Sequence, residues 1–268
     1  MLKWLAAFCA LNSVAAVPCP SPCCQGACPP VCTPEVCESP SPPPPPPAPP
    51  CTVEMLKQRP AGDKSWPVAC SQTTLGEDGE ELDLSEAHLS YGDFKDATFQ
   101  ATGAIRLNGA GLANADLSGA KLSSTDSPST HFTSLSPTSI AFDLALIDFA
   151  KANLTNADLS GSVLTAEGGY GTIDFTEANL ANADLSGSNL TAEGYDATID
   201  FTEANLANAD LSDSTLTAEG YDATIDFTEA NLANADLSGS ALTATAFFSP
   251  TIDFTEANLA NADLSGSA

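Results

Sequence analysis

Residues 172–197 read "TIDFTEANLANADLSGSNLTAEGYDA". Nearly the same words return from Thr198, Thr224 and Thr251. Working outward, the chain follows a grammar of three informative residues and two spacers. The words run Leu82-Asp83-Leu84, Ala87-His88-Leu89, Gly92-Asp93-Phe94 and Ala97-Thr98-Phe99. A second set starts at Ile105 and a third at Ile147, and the set of four then recurs from Ile173, Ile199, Ile225 and Ile252. An insert always follows the fourth word, with lengths of about 3, 22, 6, 6, 6 and 7 residues along the chain. Constant framework with variable inserts predicts a four-sided coil with one permissive, solvent-exposed corner. A competing parse takes "EGYDAT" as a fifth unit with a one-residue bulge, which would shift the columns from side to side at each turn.

The block "ANLANADLSG" stands intact at Ala178, Ala230 and Ala257, and at Ala204 with Asp213 in place of the final Gly. This pattern resembles the pentapeptide-repeat family, with its A(D/N)LXX consensus, over residues 82–268. The resemblance implies an all-β fold, a right-handed quadrilateral β-helix of about seven coils. It implies that the central Leu or Phe of each word points inward, with the Ala, Ser or Ile two places earlier, while the other positions face solvent. Phe149, Phe175, Phe201, Phe227 and Phe254 would then stack on one side beside Ile147, Ile173, Ile199, Ile225 and Ile252. One coil buries these groups only against its neighbours, so a single repeat cannot fold alone. The family also implies end-to-end self-association, because an open coil end exposes unpaired backbone and apolar side chains.

The chain of 268 residues has 8 Lys+Arg against 35 Asp+Glu, and a formal net charge of -27. Lys151 is the last basic residue; from Ala152 onward there are 19 acidic residues. Such a stretch lacks the cationic contacts that direct binding to nucleic acid or to anionic lipid requires. It suits basic, cationic or metallic partners.

The start, "MLKWLAAFCALNSVAAVPCP", has a charged residue, a short apolar core and small residues at Val14-Ala15-Ala16. Residues 1–16 read as a secretory signal, too short to span a bilayer. Residues 17–50 form a Pro/Cys-rich stalk, disordered or disulfide-bonded, in which six consecutive prolines favour extended polyproline II. The run "SPPPPPP" resembles the hydroxyproline-rich stalks of algal and plant cell-wall glycoproteins. Cys19, Cys23, Cys24, Cys28, Cys32, Cys37, Cys51 and Cys70 are disulfide candidates in a secreted chain, with 105 pairings open. A zinc site at Cys24, Cys28 and Cys32 competes, though no His lies near them. Residues 51–81 read as a cap for the first coil, with a short helix in "TVEMLKQRP" that stops at Pro60. The repeat domain spans 82–268, with the long insert at 125–146.

No nucleophile-base pair, phosphate loop or His cluster is signalled; His88 and His131 stand apart. The expectation is a non-enzyme without a cofactor. The carboxylates remain. Asp174, Asp200, Asp226 and Asp253 would form one outward column, and Glu177, Glu203, Glu229 and Glu256 a second. At a spacing of about 5 Å each like pair repels by roughly 0.8 kcal/mol in water. Ca²⁺ would relieve such rows; the opposing reading is that Asp before the central Leu supports the turns. Asn153 and Asn189 head glycosylation sequons. Together these point to a secreted, acidic structural or adhesive protein of a cell wall or matrix, facing protein or glycan components. The alternative is a DNA-mimic inhibitor, since some members of the family resemble duplex DNA in shape and charge.

Overall fold

The computed structural model describes residues 51–61, 69–76, 81–125 and 144–268. The signal at 1–16, the stalk at 17–50 with its six cysteines, His131 and the interior of the long insert lie outside the described residues. Among the described residues the elements are a short helix α1 (Val53–Lys57) and eleven strands: β1 (Thr74–Leu75), β2 (Leu82–Asp83), β3 (Thr98–Thr102), β4 (Ala104–Arg106), β5 (Lys121–Thr125), β6 (Leu144–Asp148), β7 (Val163–Glu167), β8 (Tyr170–Asp174), β9 (Asn189–Asp200), β10 (Thr215–Asp226) and β11 (Ala241–Asp253).

All pairing is parallel and between successive coils. Side one stacks Leu82 on Ile105, Ile147, Ile173, Ile199, Ile225 and Ile252 in turn. Side four stacks Leu75 on Phe99, Leu122, Leu164, Leu190, Leu216 and Leu242. Sides two and three are held by single bridges, such as Asn153 with Asn179 and Asp158 with Asp184. The result is a quadrilateral β-solenoid of about six turns, with a further circuit begun at Ile252. The inward side chains of that last circuit, Ile252, Leu259 and Leu264, stand partly exposed.

The core follows the word grammar. Central Leu and Phe and the small residue two places earlier are buried from Leu82 to Leu237. Phe149, Phe175, Phe201, Phe227 and Phe254 stack face to face with centroids 4.8–4.9 Å apart, the spacing of adjacent strands. This unbroken column excludes the parse in which columns change sides.

Three corners are tight turns. At the first, Ala178 N–H donates to the Phe175 carbonyl (2.9 Å) and Glu177 has φ +56°. At the second, Asn182, Asn208, Asn234 and Asn261 take the same conformation; at the third, Gly187, Asp213, Gly239 and Gly266 do. A positive φ at the third turn residue favours Gly or Asn, which explains the Asn-Ala-Asp and Ser-Gly steps of the repeat.

The fourth corner corrects the expectation of a loop. Two of the three six-residue inserts are strand: β9 and β10 run unbroken across them, pairing Glu193 with Glu219, Gly194 with Gly220 and Asp196 with Asp222, whereas the first breaks between β7 and β8 at Gly168 and Gly169. Ala192 and Ala197 point into the core on either side of the corner. Gly194 and Gly220 are required there, because a Cβ would fall 2.1 and 2.2 Å from the carbonyl oxygens of Gly168 and Gly194. The described ends of the long insert, Thr125 and Leu144–Leu146, are likewise strand.

The solenoid also starts earlier than Leu82. Ala69 bridges Asp93, and Cys70 is fully buried in the core. Cys70 is disulfide-bonded to Cys51, 19 residues away, a closure worth about 3 kcal/mol in the chain-entropy account. The bond draws α1 over the first coil. Thr52 caps it by accepting from Met55 N–H (3.3 Å), and Leu56 is buried. Arg59 reaches under, its Nη1 donating to the His88 and Ser90 carbonyls at 3.0 and 2.8 Å. Among the described residues no backbone N–H of a preceding coil reaches these two carbonyls, and the arginine satisfies them.

Phe201→Ala opens a cavity in mid-column and is expected to cost about 3–5 kcal/mol in urea unfolding. Phe254→Ala, at the half-exposed end of the same column, should cost clearly less; equal losses would contradict the column.

Candidate functional site

The outward surface is built by the same registration as the core. Each Asp that precedes a central Leu or Phe accepts from the N–H two residues on. Examples are Asp174 from Thr176 (2.8 Å), Asp200 from Thr202 (2.8 Å), Asp226 from Thr228 (2.8 Å) and Asp253 from Thr255 (2.8 Å). Side three repeats the device, Asp184 accepting from Ser186 N–H (2.9 Å) and its hydroxyl (2.6 Å). One oxygen of each carboxylate is therefore engaged in holding a corner. The aspartate columns do structural work and carry charge at once.

The glutamates differ. Glu177, Glu203, Glu229 and Glu256 are exposed and sit at the left-handed first corner, with φ +56° to +58°. A non-glycine residue there costs on the order of 1–3 kcal/mol, and no turn hydrogen bond to these side chains offsets it among the described residues. A cation stands just before the long acidic run of each column on this face, and in the aspartate column Asp83 precedes it. Arg106 occupies the place of an aspartate one coil before Asp148, its Nη1 3.9 Å from Asp148 and its Nε 3.4 Å from Glu81. Lys151 precedes Glu177 at the corner and lies 3.3 Å from it. Beyond these two the columns run without a basic residue.

The titration of individual carboxylates follows their surroundings. Burial, then the charge of Asp174, raises Asp148, against the Ala150 N–H and Arg106. The Ser85 hydroxyl and N–H, with Lys57 at 3.1 Å, hold Asp83 down at about 2. Among the described residues, no three of His, Cys, Asp and Glu converge on a point that could hold a metal ion. The rows are parallel.

Two amide ladders were not anticipated. Asn205 Nδ2 donates to Asn179 Oδ1 (3.1 Å), Asn231 to Asn205 (3.0 Å) and Asn258 to Asn231 (3.0 Å). A second ladder links Asn261, Asn234 and Asn208 at the corner (3.2 and 3.3 Å). The signal was present in "ANLANAD", but it needs the inter-coil register to be read. The sequon residues Asn153 and Asn189 are exposed, and their Oδ1 atoms accept from Thr155 and Thr191 hydroxyls at 2.7 and 3.1 Å. Exposed His88 bridges Gly111 through its backbone. No described helix is long and apolar enough to cross a membrane.

With the coil and its ladders established, the chain can be set beside known proteins. Residues 142–166 and 173–192 match the family model described as pentapeptide repeats, in eight copies. These segments are pentapeptide repeats. Full-length QnrB1, described as a plasmid-mediated fluoroquinolone resistance protein, is 18% identical over 73% of this chain and 92% of its own, with a TM-score of 0.21. HetL, described as a pentapeptide repeat protein involved in heterocyst differentiation regulation from the cyanobacterium Nostoc sp. strain PCC 7120, is 18% identical over 73% of this chain and 87% of its own, with a TM-score of 0.17. Superpositions this loose add nothing to the geometry above. No curated protein matches the chain.

Two measurements separate the structural from the electrostatic role. Asp184→Asn keeps the Oδ1 acceptor and should be nearly neutral in thermal unfolding, whereas Asp184→Ala should lose about 1 kcal/mol. Asp83 lies below its unfolded value of 3.8, so its contribution is complete above about pH 4 and disappears as pH falls through about 2. The difference in urea midpoint between the wild type and Asp83→Asn should shrink across that window.

Proposed function

We propose that this protein is a secreted, non-catalytic interaction protein, whose β-helix presents ladders of carboxylates to basic partners in an extracellular matrix or wall. The observation that carries the reading is the in-register stacking of like carboxylates, Asp148 to Asp253 on side one and Asp116 to Asp263 on side three, in a chain without cations after Lys151. Such ladders concentrate negative potential along the solenoid and favour encounter with cationic surfaces. Secretion is supported by the signal-like start and the Pro/Cys-rich segment. The Cys51–Cys70 bond suits an oxidising compartment. Matrix proteins or glycans bridged by cations are the partner class. Calcium would exchange weakly along the rows, because each aspartate has one oxygen committed to its corner.

Charge density favours a second reading, duplex mimicry. The coil from Ile199 carries Asp200, Glu203, Asp210, Asp213, Glu219 and Asp222 within a rise of about 4.8 Å, denser than one charge per about 1.7 Å of duplex. This reading requires an intracellular chain with reduced thiols.

The test is recovery of a C-terminally tagged chain from source cells, with its N-terminus determined. Recovery from medium or wall starting near Val17 is expected. Recovery from the interior beginning at Met1 would overturn secretion and bring mimicry forward. Octalysine should bind the purified chain, with affinity falling at least tenfold between about 0.05 and 0.5 M salt as screening shortens the field.

A further inference from the structure

The fourth corner carries a row of aromatic side chains that the core does not use. Tyr195 and Tyr221 stack with centroids 4.7 Å apart, and Tyr221 meets Phe247 at 5.7 Å and Phe248 at 4.6 Å. All four are exposed, Phe247 by 80% and Phe248 by 61%.

The last rung departs from its template. Residues 193–198 and 219–224 are both "EGYDAT", whereas residues 245–251 read "TAFFSPT". The framework on both sides is unchanged: Leu216 still pairs with Leu242 and Ile225 with Ile252. The register shifts only between Gly220 and Asp222, where the additional residue is absorbed. A bulge of this kind re-aims side chains, and here it brings two phenylalanines to Tyr221 in place of one ring. They pack on Tyr221 and edge-on against each other at 5.3 Å, yet both remain largely exposed. Large exposed apolar groups in a contiguous row mark an interaction surface.

The surroundings select the partner. Glu167, Glu193 and Glu219 are cross-strand neighbours along one flank, and Asp196 and Asp222 pair along the other. A nucleic acid, an anionic lipid surface or a second copy of a chain of charge -27 would bring like charge to these carboxylates. A basic segment would neutralise them. The row from Tyr195 to Phe247 extends about 10 Å, the length of three to four residues of extended chain at about 3.3 Å each.

We propose that this row is a docking surface for an extended basic segment of a partner protein, with apolar side chains on the rings of Tyr221, Phe247 and Phe248 and Lys or Arg on Glu193, Glu219 and Asp222. This rests on the cationic-partner reading above and names the place where that partner gains specificity beyond charge.

The full chain is titrated with two labelled octapeptides of equal charge, alternating Lys-Leu and alternating Lys-Ser, and read by fluorescence anisotropy. The Lys-Leu peptide is expected to bind at least tenfold more tightly. The double variant Phe247→Ser with Phe248→Ser, whose melting temperature reports its folding, should bring Lys-Leu down to the Lys-Ser level. Tyr221→Ser should do so in part, and Glu193→Gln with Glu219→Gln should weaken both peptides. Equal affinity of the two peptides, unaffected by the Phe variant, would overturn the docking row and leave the carboxylate reading standing. Failure of both peptides to bind at low salt would overturn both. Concentration-dependent dimerisation in light scattering, abolished by the Phe variant, would make the row a self-interface and also overturn the proposal.

Discussion

The structure depends on one constraint: every coil hands its backbone N–H and C=O groups to the coil above and below, in register. Phe175 N–H donates to the Asp200 carbonyl at 2.7 Å, and Asn205 N–H to the Ala178 carbonyl at 2.9 Å. Registration places like on like. For phenylalanine that means a stack, and for asparagine a chain of amide hydrogen bonds, both favourable. For aspartate it means adjacent negative charges, tolerated because a corner N–H takes one oxygen of each. The chemistry of any outward position is thereby multiplied along the solenoid.

The corners show what that constraint demands locally. Three of them turn on a single residue of positive φ, and Asn or Gly fills most of these places at little cost. Tyr91, Asp96, Lys151 and Asp213 also take this conformation, but the glutamates at the first corner do so in every coil from Glu177 onward. They accept the strain of a left-handed backbone and gain no turn hydrogen bond, so their contribution lies in the surface they present. The fourth corner bends at Gly103 (φ +101°) and at Gly168–Gly169 in earlier coils and is continuous strand in β9, β10 and β11, so its length varies where the other three corners are fixed.

This division places function at the periphery. The core is closed to solvent, and from Ile147 onward it repeats nearly unchanged, so it cannot distinguish one partner from another. The ladders give charge, which attracts broadly. The fourth corner combines carboxylates with a row of stacked exposed rings and breaks its own repeat at Phe247 and Phe248. The cap end is different again: a disulfide, one buried leucine and an arginine close the first coil with side chains from outside the repeat.

The five-residue period determined much by itself. Constant framework and variable inserts imply a four-sided coil with one permissive corner, and the resemblance to pentapeptide repeats adds that the central Leu or Phe faces inward, which places the columns of Phe149 to Phe254 and the outward acids. The sequence could not decide whether "EGYDAT" was loop or strand, since Glu, Gly and Asp favour turns locally and only pairing with an identical neighbour makes them strand. Nor could it show that Cys70 completes a coil, because its partners Asp93 and Cys51 are distant in the chain. The Tyr195–Tyr221–Phe247 row and the asparagine ladders likewise arise from contacts 26 or more residues apart. Local spacing fixes which way a side chain faces. What it touches is decided only when one coil settles on the next, because the hydrogen bonds that set this register run between coils.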